Sequence, residues 1–92
     1  MDHFNYQQDI LFAEEVALSN IAEQYGTPSY VYSRATLERH AHAYTESFES
    51  MDGLVCFSVK ALSNISILKV LKQCGCGFDI VSGGELHRAL LA

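Results

Sequence analysis

Val55-Cys56-Phe57-Ser58-Val59-Lys60-Ala61-Leu62-Ser63-Asn64 is a short apolar strand that runs into a single lysine, with a helix start directly behind it. The chain has six basic residues, and Lys60 is the one that ends an apolar run. Strand side chains alternate between the two faces. Val55, Phe57 and Val59 therefore share a bulky face suited to packing under helices. Cys56, Ser58 and Lys60 share a small, polar face that leads to the amine. This division suits a sheet with helices on one side and a chemical interior on the other. A lysine behind an apolar strand is more often a solvated loop residue, so the strand alone leaves both readings open.

Downstream, Asn64 is placed to cap a helix whose apolar stripe is Ile67, Val70, Leu71 and Cys74, and Gly75 ends it. A second strand follows over Gly77-Phe78-Asp79-Ile80-Val81. Phe78 and Ile80 take one face; Gly77, Asp79 and Val81 take the other. Ser82-Gly83-Gly84-Glu85 is an S-x-x-E capping box, and it opens a helix carrying Leu86, Ala89 and Leu90. The order from residue 54 is strand, helix, strand, helix. That is an α/β pattern, whose strand-helix-strand unit predicts a right-handed parallel crossover. Both strand-to-helix connections then share one edge of the sheet. Lys60 and Ser82-Gly83-Gly84 occupy that edge, where α/β proteins place their ligands. Asp79 is expected on an inward-facing position nearby, where a carboxylate needs a partner or water; a structural and a functional role are equally open to it. The Gly83-Gly84 pair lacks the spacing of either glycine-rich phosphate motif, and a tight strand-to-helix turn is the better reading.

Upstream, residues 1–16 mix Phe4, Tyr6, Ile10, Leu11, Phe12 and Val16 with the turn formers Asn5 and Asp9, which suggests a hairpin or extended arm. Leu18, Ile21, Ala22 and Tyr25 then fall at helical spacing. Ser19 or Asn20 could cap that helix, and Gly26 and Pro28 stop it. Ser29-Tyr30-Val31-Tyr32 reads as a strand from its aromatic and β-branched content. Ser33 suits the cap of a helix from about 34 to 49, with a stripe of Leu37, Ala41, Tyr44 and Phe48. His40 and His42 do not share a helix face, so they are expected on the surface. Met51-Asp52-Gly53 makes the turn into the Lys60 strand.

The balance of six basic against eleven acidic residues gives a net charge of −5 without a basic cluster, which argues against nucleic acid and anionic membranes as partners. No apolar run approaches the ~20 residues of a membrane span. The first residues lack a signal-peptide pattern, and a cytoplasmic protein is expected. Cys74-Gly75-Cys76 is C-x-C without a second pair, so no metal site is expected. The cysteines read as small apolar residues around a tight turn in a reducing compartment.

Taken together, Tyr25-Gly26-Thr27-Pro28 with Tyr30-Val31-Tyr32-Ser33, then Val59-Lys60-Ala61-x-Ser63-Asn64, then Gly77-Phe78-Asp79-Ile80-Val81-Ser82-Gly83-Gly84-Glu85, resemble the N-terminal part of the diaminopimelate decarboxylases. These are pyridoxal phosphate enzymes of the alanine-racemase-like class, and the resemblance covers nearly the whole chain. It implies a (β/α)₈ barrel that binds pyridoxal phosphate, joined to a β-domain. Residues 1–33 would be the arm, short helix and strand before the barrel, the arm joining the β-domain. Residues 34–92 would be the start of the barrel. Lys60 takes the place of the family's catalytic Schiff-base lysine, and Asp79 that of an active-site aspartate at the cofactor. The implied reaction converts meso-diaminopimelate to L-lysine and CO₂, in a homodimer that takes a small amino-acid substrate. A decarboxylase of the same class acting on ornithine, arginine or a carboxylated polyamine is the alternative; so is a non-catalytic, self-associating α/β piece. Leu62 departs from the family, which usually has Asn there, so packing must order the loop after the lysine. Length is the larger departure. A full barrel needs about 250 residues, and this chain has 92, so a fragment without activity of its own is expected.

Overall fold

The computed structural model describes residues 2–92. The chain divides into two compact units, the first ending at Leu37 and the second spanning Glu38–Ala92.

The first unit opens with an antiparallel meander of β1 (Phe4–Gln7), β2 (Ile10–Ala13) and β3 (Val16–Ala17). The hairpin expected over 1–16 is therefore present. Gln8 and Asp9 link β1 to β2 with φ of 49° and 65°, the left-handed pair that lets a two-residue loop follow the natural strand twist. Helix α1 (Leu18–Tyr25) has the predicted bounds. Its start differs: the N-cap is Ala17, and no side chain caps it. Ser19 and Asn20 lie inside the first turn, because β3 runs directly into the helix. Gly26 closes the far end at φ 84°, its N–H donating to the Ala22 carbonyl at 2.8 Å. The strand expected over 29–32 does not form. A strand needs a paired neighbour to satisfy its backbone; among the described residues nothing pairs with this segment, and Tyr30 is 90% exposed.

Helix α2 (Arg34–Ser47) begins where Ser33 was expected to cap it, and the Ser33 hydroxyl accepts from the Thr36 N–H at 3.1 Å. It ends at Ser47, two residues short of the expected end, and turns follow to Asp52. Of the predicted stripe, Ala41 is buried and Leu37 half-buried, while Tyr44 and Phe48 are exposed.

The rest of the second unit is built on β4 (Cys56–Ser58), α3 (Ile65–Gln73), β5 (Gly77–Asp79) and α4 (Gly83–Leu91). Strands β4 and β5 pair in parallel, with Cys56 opposite Gly77, Phe57 opposite Phe78 and Ser58 opposite Asp79. Asn64 caps α3, its side-chain oxygen accepting from the Ile67 N–H at 3.2 Å. The C-terminus of α3 is a Schellman turn. Gly75 sits at φ 90°, its N–H bonds the Lys72 carbonyl at 2.9 Å, and the Cys76 N–H bonds the Leu71 carbonyl at 3.1 Å. Half of the expected capping box opens α4: the Ser82 hydroxyl accepts from the Glu85 N–H at 3.1 Å, while the Glu85 carboxylate accepts from the Ser82 hydroxyl at 3.2 Å and from the Val81 N–H at 3.4 Å, one residue before the cap. Val59 and Leu68 are fully buried, and Ile67, Leu71, Cys74 and Cys76 are nearly so. Leu68 takes the central place that the predicted stripe gave to Val70, which is half-buried.

Candidate functional site

In a parallel sheet covered by helices, the C-terminal ends of the strands collect the loops that carry chemistry. Here Ser58 and Asp79 end β4 and β5 side by side in register. Beyond Ser58 the chain turns at once into a single 3₁₀ turn, Val59–Ala61, closed by the Leu62 N–H on the Val59 carbonyl at 3.1 Å. Lys60 rides on this turn and does not continue the strand, as its alternation had suggested. Val59 is wholly buried beneath it, so the turn is pinned by its apolar member while Lys60 stays exposed. Among the described residues, neither the Lys60 amine nor the Asp79 carboxylate makes a hydrogen bond or ion pair. Asp79 is exposed at the strand end.

The lysine loop is braced on its far side. The Arg88 guanidinium, on α4, donates to the Ser63 carbonyl at 3.3 Å, and α4 packs against the 3₁₀ turn. No sequence motif pointed to Arg88, because the contact joins residues 25 apart. The capping-box glycines are not demanded by crowding. A Cβ at Gly83 would meet nothing within 4 Å, and one at Gly84 would meet only the Ser82 hydroxyl oxygen at 3.9 Å.

Two clefts lie elsewhere. One of about 720 Å³ in the first unit is lined by His3, Glu14, Val16, Ile21 and Tyr32 among others. One of about 320 Å³ in the second unit is lined by Phe48, Met51, Leu54 and Gly75 among others. Neither includes Lys60 or Asp79. Concavity is a poor guide here, since two strand–helix units form no wall around the edge they share, so the chemistry of that edge is the better criterion. Beside the first cleft, the Glu14 carboxylate accepts from the Ser33 hydroxyl at 2.9 Å and the Ala35 N–H at 3.3 Å. The Ser33 bond foremost, then the Ala35 bond, hold its carboxyl below the usual carboxylate range. The three cysteines form no disulfide. Burial pushes the Cys76 thiol up, and Cys74 and Cys56 add to the shift. Among the described residues no three His, Cys, Asp or Glu side chains are placed to hold a metal ion.

The family described as pyridoxal-dependent decarboxylase, pyridoxal binding domain, matches residues 34–92. The chain belongs to the pyridoxal-dependent decarboxylase family. Its relatives in that family include the diaminopimelate decarboxylase of Vibrio cholerae, 58% identical over the whole chain and 22% of the relative. The crystal structure of an Aquifex aeolicus protein superposes with a TM-score of 0.90 at 42% identity, covering 97% of this chain and 22% of that one. The diaminopimelate decarboxylase of M. jannaschii in co-complex with L-lysine superposes with a TM-score of 0.83 at 31% identity, covering 98% and 22%. The chain thus spans about a fifth of the length of these relatives.

The decarboxylase family implies pyridoxal phosphate, and the donor set at the sheet edge fits it. A primary amine is the group that bonds the cofactor's aldehyde, and the Lys60 amine has no competing partner among the described residues. The neighbouring strand ends in a carboxylate, also without a partner, which can accept a hydrogen bond from a bound ring.

Proposed function

We propose that the full-length protein carrying this chain is a pyridoxal phosphate-dependent decarboxylase that converts meso-diaminopimelate to L-lysine and CO₂. Lys60 would hold the cofactor, and Asp79 would lie against it. Bound pyridoxal phosphate supplies an electron sink for the electron pair left when CO₂ departs. The work of this chain is placement. The 3₁₀ turn carries the Lys60 amine to the sheet edge, and the Lys60 Nζ is the atom that gives up and recovers a proton as the cofactor is held and released. Residues 1–33 would form the arm, short helix and connecting segment, and residues 34–92 the opening of a (β/α)₈ barrel. The homodimer and the cytoplasmic setting expected from the resemblance belong to the same proposal.

The observation that carries this reading is the unpartnered Lys60 amine one turn past a strand whose parallel neighbour ends in Asp79. The diaminopimelate decarboxylases among the relatives, matching along the whole chain, and the L-lysine held by one of them favour diaminopimelate over ornithine, arginine or a carboxylated polyamine. Turnover of these four substrates by full-length wild type and Lys60→Ala tests it. The expected result is CO₂ from diaminopimelate alone, abolished in the variant. Substantial decarboxylation by Lys60→Ala would remove the lysine from the mechanism. The 92-residue chain alone is expected to release no CO₂.

A further inference from the structure

Lys60 stands on a turn with firm ends and a free middle. Upstream, β4 is paired in register with β5, and Val59 is fully buried. Downstream, Asn64 is committed to α3 as its cap. Between them, the Leu62 N–H closes the turn onto the Val59 carbonyl at 3.1 Å, but Leu62 has an apolar side chain and can donate no further hydrogen bond. The peptide that joins this turn to the cap carries the Ser63 carbonyl. That oxygen receives the Arg88 guanidinium at 3.3 Å, from a helix that also packs against the turn.

We propose that Arg88 is a positioning residue for Lys60: its guanidinium donates to the Ser63 carbonyl and thereby fixes the turn that presents the lysine amine. At 3.3 Å and exposed, the contact is longer than a tight charge-assisted bond, so its part is to orient the peptide and not to add stability. Arginine suits the task because its charge is permanent and its fork keeps one orientation. The contact lies three residues beyond Lys60, so its loss frees rotation in the peptides just after the turn. A shift of this kind moves the amine relative to whatever it must meet, with little change to the buried core. The inference rests on the proposed role of Lys60, and it adds that α4 sets the geometry of that role.

The test uses the full-length protein with Arg88→Met, which keeps the stem and removes the donors, and Arg88→Lys, which restores a cationic donor. Three readouts are taken: kcat and KM separately, the rate at which borohydride fixes pyridoxal phosphate onto Lys60, and amide exchange of Leu62 and Asn64. Arg88→Met is expected to lower kcat by ~10–100-fold, the scale of a displaced catalytic group, with KM little changed. It should also slow trapping at Lys60 and speed exchange in the loop. Arg88→Lys is expected to recover part of all three. Unchanged kcat and trapping in Arg88→Met would overturn the proposal. So would equal loss in both variants accompanied by faster exchange throughout the core, which would mean a general loss of stability. Lys60→Ala, measured alongside, separates the two levels: if it stays active the reading of Lys60 fails, and if it is dead while Arg88→Met is normal only the role of Arg88 fails.

Discussion

Two glycines of the second unit should respond to alanine with opposite signs. Gly75 sits at φ 90°, and a Cβ there would meet nothing within 4 Å. Crowding is therefore absent, and the whole effect of Gly75→Ala lies in the backbone. Placing an L-residue in the left-handed region costs ~1–2 kcal/mol. Alanine also restricts the unfolded chain, which returns about 0.4–1 kcal/mol. The difference is a loss of about 1 kcal/mol, or roughly fivefold in a local opening equilibrium. The Schellman turn reports it directly, because the Cys76 N–H is held on the Leu71 carbonyl at 3.1 Å. Gly84 is the control. It is helical, its φ lies outside the left-handed region, and its Cβ would make only ordinary contact. Gly84→Ala should stabilise α4 by up to ~1 kcal/mol. Amide exchange of the full-length protein, followed at Cys76 and in α4, should show faster opening at the first site and slower opening at the second. Unchanged or slower exchange at Cys76 in Gly75→Ala would refute the strain argument, and Gly75→Asn should lie between wild type and alanine because Asn tolerates this conformation.

The Glu14 contact gives a pH dependence. Its folded carboxyl titrates below the ordinary value, so the stability it adds is complete above the unfolded-state pKa and is lost as pH falls through the lowered folded one. Exchange at the Ala35 and Thr36 amides should quicken over that acid range in wild type and lose the dependence in Glu14→Gln. Leu68→Ala removes a fully buried side chain and should destabilise the second unit by ~2–5 kcal/mol, read as a lower denaturant midpoint. Among the cysteines, Cys56 is exposed while Cys74 and Cys76 are buried. A thiol reagent at mild alkaline pH should therefore modify Cys56 first, and prior modification of Cys76 in the native protein would contradict the placement.

Local rules were legible in the sequence because they act over three or four residues. Ser33, Asn64 and Ser82 each cap the helix they were expected to cap, with the hydroxyl or amide oxygen on an N–H three positions on. Gly26 and Gly75 end their helices at positive φ. Within β4 the alternation also held, with Phe57 half-buried between exposed Cys56 and Ser58, whereas Val59 is buried as part of the turn beyond the strand. What failed depends on neighbours. Tyr30-Val31-Tyr32 has strand composition, but pairing decides a strand and the segment has no partner among the described residues. Tyr44 and Phe48 have helical spacing, but spacing does not say what covers them, and they are exposed. At the site, Lys60 follows the end of β4 as the strand-helix-strand order implied, and Asp79, expected on an inward strand position nearby, ends β5 beside it. The bend that lifts Lys60 off the strand, and the contacts of Arg88 with Ser63 and of Glu14 with Ser33, join distant single residues and leave no periodic trace.

The most direct test of Lys60 as the cofactor-bearing residue is borohydride reduction of the full-length protein with pyridoxal phosphate, followed by peptide mass mapping, with the 92-residue chain treated in parallel. The expected result is one stoichiometric adduct at Lys60 in the full-length protein and no specific adduct in the short chain. A full-length protein labelled at another lysine, or left unlabelled, would contradict the central role given to Lys60.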